Sequence, residues 1–249
     1  MVIPFSLLAD LYENKINFWF YHYIADTLCK LINKFSFKSI LELGAGTGIS
    51  TQVLKRYFPK AKILATDPCI EMLRLAKNKN LNNVDYLVLK AEDAISLKEK
   101  YDLIFGNFCY HWFKNGTAIR LKKCLKKDGV LAFSIPINCA DGLLGNKLLL
   151  NVYRNLKKHY HFSHKPSLRF KEILKEFKDF KLSYHFLSFS ESYPANEWFK
   201  ILYSRGSWHY LFKEYIKEAK HFWLKYENKE EISLRWHILL LIGINNGKS

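Results

Sequence analysis

The sequence predicts an α/β fold in which a mostly parallel seven-stranded sheet carries helices on both faces. Short apolar runs rich in β-branched and aromatic residues alternate with stretches of helical periodicity in the first half of the chain. A loop with glycines at alternate positions, Gly44, Gly46 and Gly48, connects the first apolar run to a helical stretch. Such regular alternation of strands and helices is typical of a parallel sheet covered on both sides.

The predicted elements follow this alternation as far as residue 135. Residues 5–34 show the apolar periodicity of a helix and are expected to form an N-terminal cap. The strand candidates are 39–43, 62–66, 84–89, 101–106 and 130–135. The helical patterns between them are 48–58, 69–79 and 114–126. This half of the chain is therefore expected to supply the parallel part of the sheet.

Beyond residue 135 the pattern changes. Helices are predicted at 143–160, 168–178, 195–204 and 208–226, and strands at 182–191 and 232–242. The strongly apolar last run favours a position inside the sheet. We expect the helices to form a lid over the carboxyl ends of the strands, where ligands bind in open α/β sheets. The expected organisation is one domain, with a helical cap (1–36), a core (37–136), a lid and substrate region (137–231) and the last strand (232–242).

The composition supports one folded domain. Of the 249 residues, 49% are hydrophobic and 16% aromatic, which excludes a disordered chain. No run reaches the roughly 18 apolar residues of a membrane span, and the N-terminus lacks the pattern of a signal peptide. The cysteines, Cys29, Cys69, Cys109, Cys124 and Cys139, have no C-x-x-C spacing. This favours buried thiols in a reducing cytoplasm and no metal site.

The glycine loop predicts a nucleotide site. Glu42 precedes a G-x-G-x-G spacing, and Asp67 follows 19 residues after Gly48, at the end of the next apolar run. Glycines let the backbone turn sharply and lie against a ligand, and an acid after the second strand is placed to accept hydrogen bonds from ribose hydroxyls. A dinucleotide fingerprint would read G-x-G-x-x-G, and the Glu42 carboxylate would repel a pyrophosphate. The ammonium and sulfonium groups of S-adenosyl-L-methionine (SAM) suit these acids better.

The end of the fourth strand is expected to face the reacting methyl group. Enzymes that methylate exocyclic nitrogens of nucleic-acid bases usually carry an Asn/Asp-Pro-Pro-aromatic run at this place. This chain has no proline there, which argues against nucleic-acid methylation, and shows Asn107 and Trp112 instead.

The chain resembles the malonyl-[acyl-carrier protein] O-methyltransferase (BioC) family of class I, Rossmann-like SAM methyltransferases. The similar segments are Phe5, Ala9 and Tyr12; Ile40 to Phe58-Pro59-Lys60; Asn107 and Trp112; Gly206-Ser207-Trp208-His209; and Leu234-Arg235-Trp236-His237. Trans-aconitate-type carboxyl methyltransferases have something close to the Asn-Trp motif. The family's Gln before the Trp is His111 here, and its basic residue before the late glycine is Tyr203. These departures leave the identity of the substrate open.

The resemblance implies SAM as cofactor. The residues expected to hold it are Glu42, Gly44, Ala45, Gly46, Gly48, Asp67, Pro68, Met72, Glu92, Asp93 and Asn107. Asp67 would bind the ribose, with Pro68 and Met72 beside the adenine. The pair Glu92-Asp93 resembles the one whose acid accepts from the adenine amino group, with Asp93 favoured. Acids at the start of a helix also serve as caps.

The resemblance further implies methylation of the free carboxylate of a malonyl thioester, early in biotin synthesis. A carboxylic acid with a pKa near 4 is ionised and nucleophilic at neutral pH, so no general base is needed. Alignment of the reacting atoms can contribute on the order of 7–11 kcal/mol. The candidate positioning residues are Tyr12, Asn107, His111, Trp112 and Arg205. The alternatives are proton transfer by His111, a core role for Tyr12 and Trp112, and a surface position for Arg205.

The net charge of +16 predicts an acidic partner. On the resemblance this partner is an acidic acyl carrier protein, with malonyl-CoA as the other carrier. Lysines at 122–127 or 157–171 would border the tunnel for the phosphopantetheine arm. We expect a monomer that binds neither metal nor membrane. The alternatives are a methyltransferase of another small carboxylic acid and an RNA-binding or catalytically silent partner subunit, although the intact glycine loop and Asp67 argue against silence.

Overall fold

The computed structural model describes residues 5–137, 144–160, 170–225 and 231–247. Within them the sheet has seven strands in the order β3-β2-β1-β4-β5-β7-β6. The strands are β1 Ser39–Leu43, β2 Lys62–Asp67, β3 Val84–Val88, β4 Tyr101–Asn107, β5 Leu125–Pro136, β6 Lys181–Tyr193 and β7 Ile232–Ile244. The first five are parallel, and β7 runs antiparallel between β5 and β6. The predicted fold class and the inner position of the last strand are confirmed.

The strand order places a topological switch point between β1 and β4. The chain runs outward from β1 to β2 and β3, and then returns to the other side of β1 to form β4. The loops that follow β1 and β4 therefore diverge and leave a crevice at the carboxyl ends of these strands. In open α/β sheets this crevice is where ligands bind.

Helices cover both faces of the sheet and its carboxyl edge. They are α1 Phe5–Tyr12, α2 Lys15–Ile32, α3 Ile49–Tyr57, α4 Ile70–Lys77, α5 Thr117–Leu121, α6 Leu144–His159, α7 Phe170–Glu176, α8 Ala195–Ser204, α9 Ser207–Phe212 and α10 Ile216–Leu224. Short 3₁₀ turns occupy Ala91–Ser96, Tyr110–Trp112, Lys122–Cys124 and Lys213–Tyr215. In the parts of the chain that the structure describes, no helix has the length and hydropathy needed to cross a membrane.

Three predicted helices have different boundaries. The helix expected at 5–34 is divided at Asn14, whose side chain accepts a hydrogen bond from the Asn17 amide and starts α2 as its N-cap. The helix expected at 114–126 ends at Leu121, and β5 already begins at Leu125. Asp128 and Gly129 lie inside this strand, where its pairing with β4 is irregular. The helix expected at 208–226 consists of α9, a 3₁₀ turn and α10.

The helix predicted at 168–178 was expected to cover the carboxyl ends of the strands. Helix α7 does not lie there. Ile173 and the following Phe177 are buried against one face of the sheet, together with Phe133 of β5. Tyr110 donates a hydrogen bond to Glu176 at the end of α7. This helix is therefore part of the core.

The other helices of the second half pack around a hairpin that extends past the sheet edge. Pro136, the last residue of β5, pairs with Ile238, so the first part of β7 and its partner on β6 project beyond the parallel strands. Around this projection α6, α8, α9 and α10 form a separate apolar cluster that includes Trp198, Trp208 and Trp223. Trp198 donates to the Ile232 carbonyl at 2.6 Å and so joins α8 to the start of β7.

Candidate functional site

The glycine loop lies in the crevice between β1 and β4. Gly44 and Gly46 have φ angles of 65° and 56°, a region that residues with a Cβ rarely adopt. A Cβ on Gly44 would lie 2.6 Å from the Cβ of Cys109, in the loop after β4, whereas no atom lies within 4 Å of one on Gly46. Gly44 therefore lets the two loops pack together, and Gly46 borders open space.

Asp67 closes this loop from the end of β2. Its Oδ2 accepts a hydrogen bond from the Gly46 amide at 3.0 Å, and its Oδ1 accepts from the Cys69 amide at 2.8 Å. Burial raises the pKa of Asp67 to about 6, while the two amide bonds oppose this shift. The carboxylate thus lies beside the space that Gly46 borders.

Glu42 is fully buried behind the loop. Its carboxylate oxygens accept hydrogen bonds from Ser50 Oγ at 2.5 Å and Thr51 Oγ1 at 2.7 Å, in the first turn of α3. Burial raises the pKa of Glu42 to about 7, against the effect of the two hydroxyl groups. The side chain is engaged within the protein, so its effect on a ligand at the loop would be through its charge.

The residues expected beside the adenine occupy different environments. Pro68 is exposed, and Met72 lies on the buried side of α4 with 2% of its surface exposed. Glu92 accepts a hydrogen bond from the Lys114 amide at 2.6 Å, which leaves Asp93, exposed at the start of its 3₁₀ turn, as the better candidate of the two acids. Ile70 was not among the residues predicted to contact the adenine. It lies one turn after Asp67, and 62% of it is exposed.

The loop after β4 is attached to α2 through Asn107. Asn107 Nδ2 donates to the Tyr21 carbonyl at 3.0 Å, and Asn107 Oδ1 accepts from Ser134 Oγ at 2.7 Å. The Phe108 amide donates to Ser134 Oγ, and Phe108 has a φ of 55°, a left-handed conformation that is uncommon for a bulky residue. Asn107 therefore holds the cap helix and the ends of β4 and β5 together.

Aromatic contacts join three of the five predicted positioning residues in one wall. The contacting ring pairs are Tyr12–Tyr21, Tyr21–Phe108, Phe108–His111, His111–Trp112 and Trp112–Phe5, with centroid separations of 4.8–5.8 Å. A Cβ on Gly206 would lie 3.1 Å from the ring of Phe5, so the late glycine borders the same wall. Tyr12, His111 and Trp112 are thus gathered near the ends of β1 and β4.

The two stacked tyrosines are neutral donors. Burial raises the pKa of Tyr12 well above its usual range, and its hydrogen bond with Tyr21 raises this pKa further. Burial also raises the pKa of Tyr21. Both phenols therefore keep their protons at neutral pH.

Arg205 is not the surface cation that the alternative interpretation expected. Its Nη1 and Nη2 bind the two carboxylate oxygens of Glu191 at 2.8 and 2.9 Å, and only 1% and 3% of the two side chains are exposed. The guanidinium lies 3.9 Å from the ring centroid of Phe20. An internal carboxylate thus already occupies the planar fork that would bind an acceptor carboxylate.

The Arg205–Glu191 pair connects the cap to the lid. Arg205 Nε donates to Asn17 Oδ1 at 2.9 Å, and Asn17 Nδ2 donates to the Tyr12 carbonyl at 3.2 Å. Trp236 Nε1 donates to Glu191 at 2.7 Å. The pair therefore reaches Tyr12 through one intervening side chain.

Sequence reasoning missed Tyr21, Asn17 and Glu191. Tyr21 lies on the apolar stripe of α2, and that stripe was the available signal. Asn17 and Glu191 carry no local signal, because their roles depend on a contact with Arg205 over 188 and 14 residues of chain.

The loop has the features that a bound nucleoside would need. Thr47 Oγ1 is buried and has no hydrogen-bond partner among residues 5–137, 144–160, 170–225 and 231–247. Gly46 borders a space that a Cβ would enter, and Asp67 lies at the edge of that space. The residues present therefore fit a ribose and a cationic group at the ends of β1 and β2.

Comparisons with known proteins identify the family to which the sequence is similar. The sequence matches the family described as methyltransferase domain over residues 20–178. The malonyl-[acyl-carrier protein] O-methyltransferase of Acetivibrio thermocellus is 42% identical over 98 residues, or 38% of this chain and 34% of that protein. The trans-aconitate 2-methyltransferase of Deinococcus radiodurans is 31% identical over 116 residues, or 46% of this chain and 44% of that protein.

A solved structure shows the same fold over nearly the whole chain. The plantazolicin methyltransferase BpumL, in complex with SAH, aligns with a TM-score of 0.54 at 15% identity, over 97% of this chain and 90% of that chain. The chain spans 34% and 44% of the lengths of the two curated relatives. The resemblance expected from the sequence is confirmed over that matched part.

Proposed function

The chain belongs to the methyltransferase-domain family, and from that premise we propose that it transfers a methyl group from SAM to the free carboxylate of a malonyl thioester. The observation that carries the substrate class is the 42% identity with the A. thermocellus protein, which is named for malonyl-[acyl-carrier protein]. The acceptor would be a malonyl group on an acyl carrier protein, early in biotin synthesis. The free cysteines of the described chain support a reducing, cytoplasmic location.

The chain's own residues suit SAM, which supplies a methyl group attached to a positively charged sulfur. Asp67 would accept hydrogen bonds from the ribose, and the space beside Gly46 would admit the ligand. The negative charges of Glu42 and Asp67 favour a cation and oppose a pyrophosphate. Ala45, whose amide donates to the Thr66 carbonyl at 2.9 Å, keeps the loop in this shape.

The acceptor carboxylate would be held by neutral groups. The phenols of Tyr12 and Tyr21 would supply the neutral donors, and ring contacts lead from Tyr21 through Phe108 to His111 and Trp112 after β4. Neutral donors hold a carboxylate without the strong charge pairing that would weaken it as a nucleophile. Because the acceptor is already ionised, no residue has to remove a proton, and orientation in a dry aromatic site supports the reaction.

Arg205 would act as a positioning residue rather than as a ligand of the acceptor. Its charge is paired with Glu191, and its contact with Asn17 supports the Tyr12 backbone. In this proposal the pair maintains the distance between the cap and the end of β4.

A second candidate substrate is a free polycarboxylate. The observation that favours it is the similarity to the D. radiodurans trans-aconitate methyltransferase. The two candidates differ in whether the carboxylate arrives on a long thioester arm or as a small free acid.

Transfer of a labelled methyl group from SAM tests the proposal. Malonyl-acyl carrier protein, malonyl-CoA, free malonate and trans-aconitate would be compared, and each product identified by mass. A methyl ester on the malonyl thioester is the expected result. Methylation of a free acid alone would favour the second candidate, and labelling of none of them would contradict both.

A further inference from the structure

We propose that the acidic carrier protein docks on a basic face formed by α6 and α10, here called the α6–α10 face. This inference rests on the proposed function, because it names the surface that would receive the carrier. The face consists of the exposed cations Arg154, Lys157, Lys158, Lys217, Lys220 and Lys225.

The cations lie on the outer side of each helix. Arg154, Lys157 and Lys158 are three and four residues apart on α6, and so are neighbours on one side of that helix. Lys217, Lys220 and Lys225 are three and five residues apart along α10 and its C-cap, and all three are exposed. The opposite sides, with Leu156 and Trp223 among others, are buried in the lid cluster.

Ring contacts hold the two helices together at this face. His159 stacks on Phe222 with centroids 6.2 Å apart and an interplanar angle of 8°, and Tyr160 contacts Tyr215 at 5.1 Å. Lys225 lies over the Phe222 ring at 5.0 Å. The charges of α6 and α10 are therefore combined into one surface.

Glu214 and Glu218 are the acids of the described segment 214–225, and the described part of α6 has none.

The element order puts the α6–α10 face toward the carboxyl end of the sheet, which is the end at which the glycine loop lies. Helix α6 follows the carboxyl end of β5, and α10 precedes the part of β7 that projects past Pro136. A thioester arm that starts from a carrier on this face would approach the carboxyl ends of the strands, where the candidate site lies.

The other predicted lysine cluster, 122–127, is at the wrong end of the sheet. Lys126 pairs with Asp102 at 2.9 Å and donates to Ser39 Oγ at 3.0 Å, and both partners are at the amino ends of β4 and β1. Parallel strands have all their carboxyl ends at the opposite edge. These lysines cannot border the entrance, which corrects that part of the prediction. Lys165 and Arg169, in the range 157–171, lie outside the described residues.

The chemistry of the face fits an acidic protein better than RNA. Five of its six cations are lysines, which attract charge at a distance and lack the planar fork that binds phosphate in two places. Such a surface raises the rate of encounter with an acidic partner and depends strongly on salt.

A charge-reversal variant with a matched control tests the proposal. The test variant carries Lys157→Glu, Lys158→Glu, Lys217→Glu and Lys220→Glu. The control carries Lys98→Glu, Lys100→Glu, Lys123→Glu and Lys127→Glu, all exposed near the amino ends of the strands, and has the same change of net charge. Both would be assayed on malonyl-acyl carrier protein and on malonyl-pantetheine, after melting curves establish that both are folded.

The expected result is selective for substrate and for variant. At low ionic strength, kcat/KM on the carrier protein falls about 10- to 100-fold in the test variant, and added salt narrows this difference. Turnover of malonyl-pantetheine is unchanged, and the control variant behaves like the native protein on both substrates.

Three outcomes would overturn the docking proposal. They are an equal loss on both substrates in the test variant, an equal loss on the carrier protein in both variants, and retention of RNA by the α6–α10 face with carrier turnover unaffected. If the native protein methylates neither thioester, the proposed function itself fails. That result is distinct, because it precedes any comparison of variants.

Discussion

Two buried acids, Glu42 and Asp67, determine the electrostatics of the glycine loop. Burial raises the pKa of Glu42 from 4.5 to about 7 and that of Asp67 from 3.8 to about 6. A buried carboxylate is costly when it is charged, and a bound cation would offset this cost. The affinity for a cationic ligand should therefore weaken as the pH falls through these two values.

Glu42→Gln is expected to stabilise the ligand-free protein at high pH. Between about 4.5 and 7 the folded state holds a proton on Glu42 that the unfolded state releases, so this group's contribution to stability falls as the pH rises through that window. At pH values above 7 the substitution should add up to about 3 kcal/mol to the free energy of unfolding. Urea unfolding at a series of pH values measures this.

The control for this prediction is Glu99→Gln, at an exposed position far from the loop. Its stability should follow that of the native protein at every pH. A Glu42→Gln variant whose advantage does not grow between acidic and alkaline pH would contradict the assignment of a raised pKa to this residue.

Variants of the Arg205–Glu191 pair can distinguish a positioning role of Arg205 from direct binding of the acceptor. Arg205→Ala alone leaves a buried unpaired carboxylate and should cost about 3–5 kcal/mol of stability. Arg205→Met combined with Glu191→Leu removes both charges and should recover much of that loss. Denaturant unfolding of the single and double variants measures this coupling.

Kinetics of the double variant distinguish the two roles. If Arg205 acts through Asn17 and Tyr12, kcat falls while KM for malonyl-pantetheine stays within a few-fold of the native value. A large rise in KM with kcat preserved would mean that Arg205 binds the acceptor directly, and our assignment would be wrong.

At the scale of elements, the cap helices complete the site from outside the sheet. Helix α2 is held to the ends of β4 and β5 by Asn107. The Tyr12 ring of α1 stacks on the Tyr21 ring of α2, which in turn contacts Phe108 after β4. The Asn14 cap that separates these helices lets α1 turn toward α4, where Glu13 pairs with Lys79 at 2.8 Å.

Asn107→Ala is expected to loosen the cap. The change removes the donor to the Tyr21 carbonyl and the acceptor for Ser134, and lost buried hydrogen bonds typically cost about 1–3 kcal/mol. Amide hydrogen exchange in α2 should accelerate, and the acceptor KM should rise more than the KM for SAM. The partly exposed Asn155→Ala, on α6, serves as control, and unchanged exchange in α2 would argue against the tether.

The boundaries of elements show what local patterns can predict. All seven strands were found because apolar runs in a sheet are short and distinct. Helix α7 was placed on the wrong surface, since periodicity reports that a helix has an apolar side and not what that side contacts. The start of β5 was predicted at 130 and lies at Leu125, because the pairing of Leu125 with Tyr101 across the irregularity is a tertiary contact that periodicity does not report.

At the scale of the whole molecule, ligand binding and stability are linked. SAM or SAH at about 100 times its dissociation constant should raise the free energy of unfolding by about 2.7 kcal/mol. NADH should leave it unchanged, because its pyrophosphate would meet the charges of Glu42 and Asp67. Thermal shift measurements with the three ligands test this, and stabilisation by NADH alone would refute the SAM assignment.

The candidate site was predictable in part from the sequence. The glycine loop and Asp67 were found because their spacing is local and their chemistry is restricted to few residue types. Tyr12, His111 and Trp112 were named from a family resemblance, and the structure places their rings in one wall. Their roles toward a substrate stay predictions.

The sequence by itself determined the fold class, the strand count and the end of the sheet at which the nucleotide loop lies. These depend on periodicity and on short motifs, and both are properties of residues that are close together in the sequence. Only the tertiary structure decided that Glu191 pairs with Arg205, that Asn107 is bound to the cap, and that the 122–127 lysines face away from the site. Each of these depends on which distant segments the packing of the sheet brings into contact, and a linear pattern does not record that.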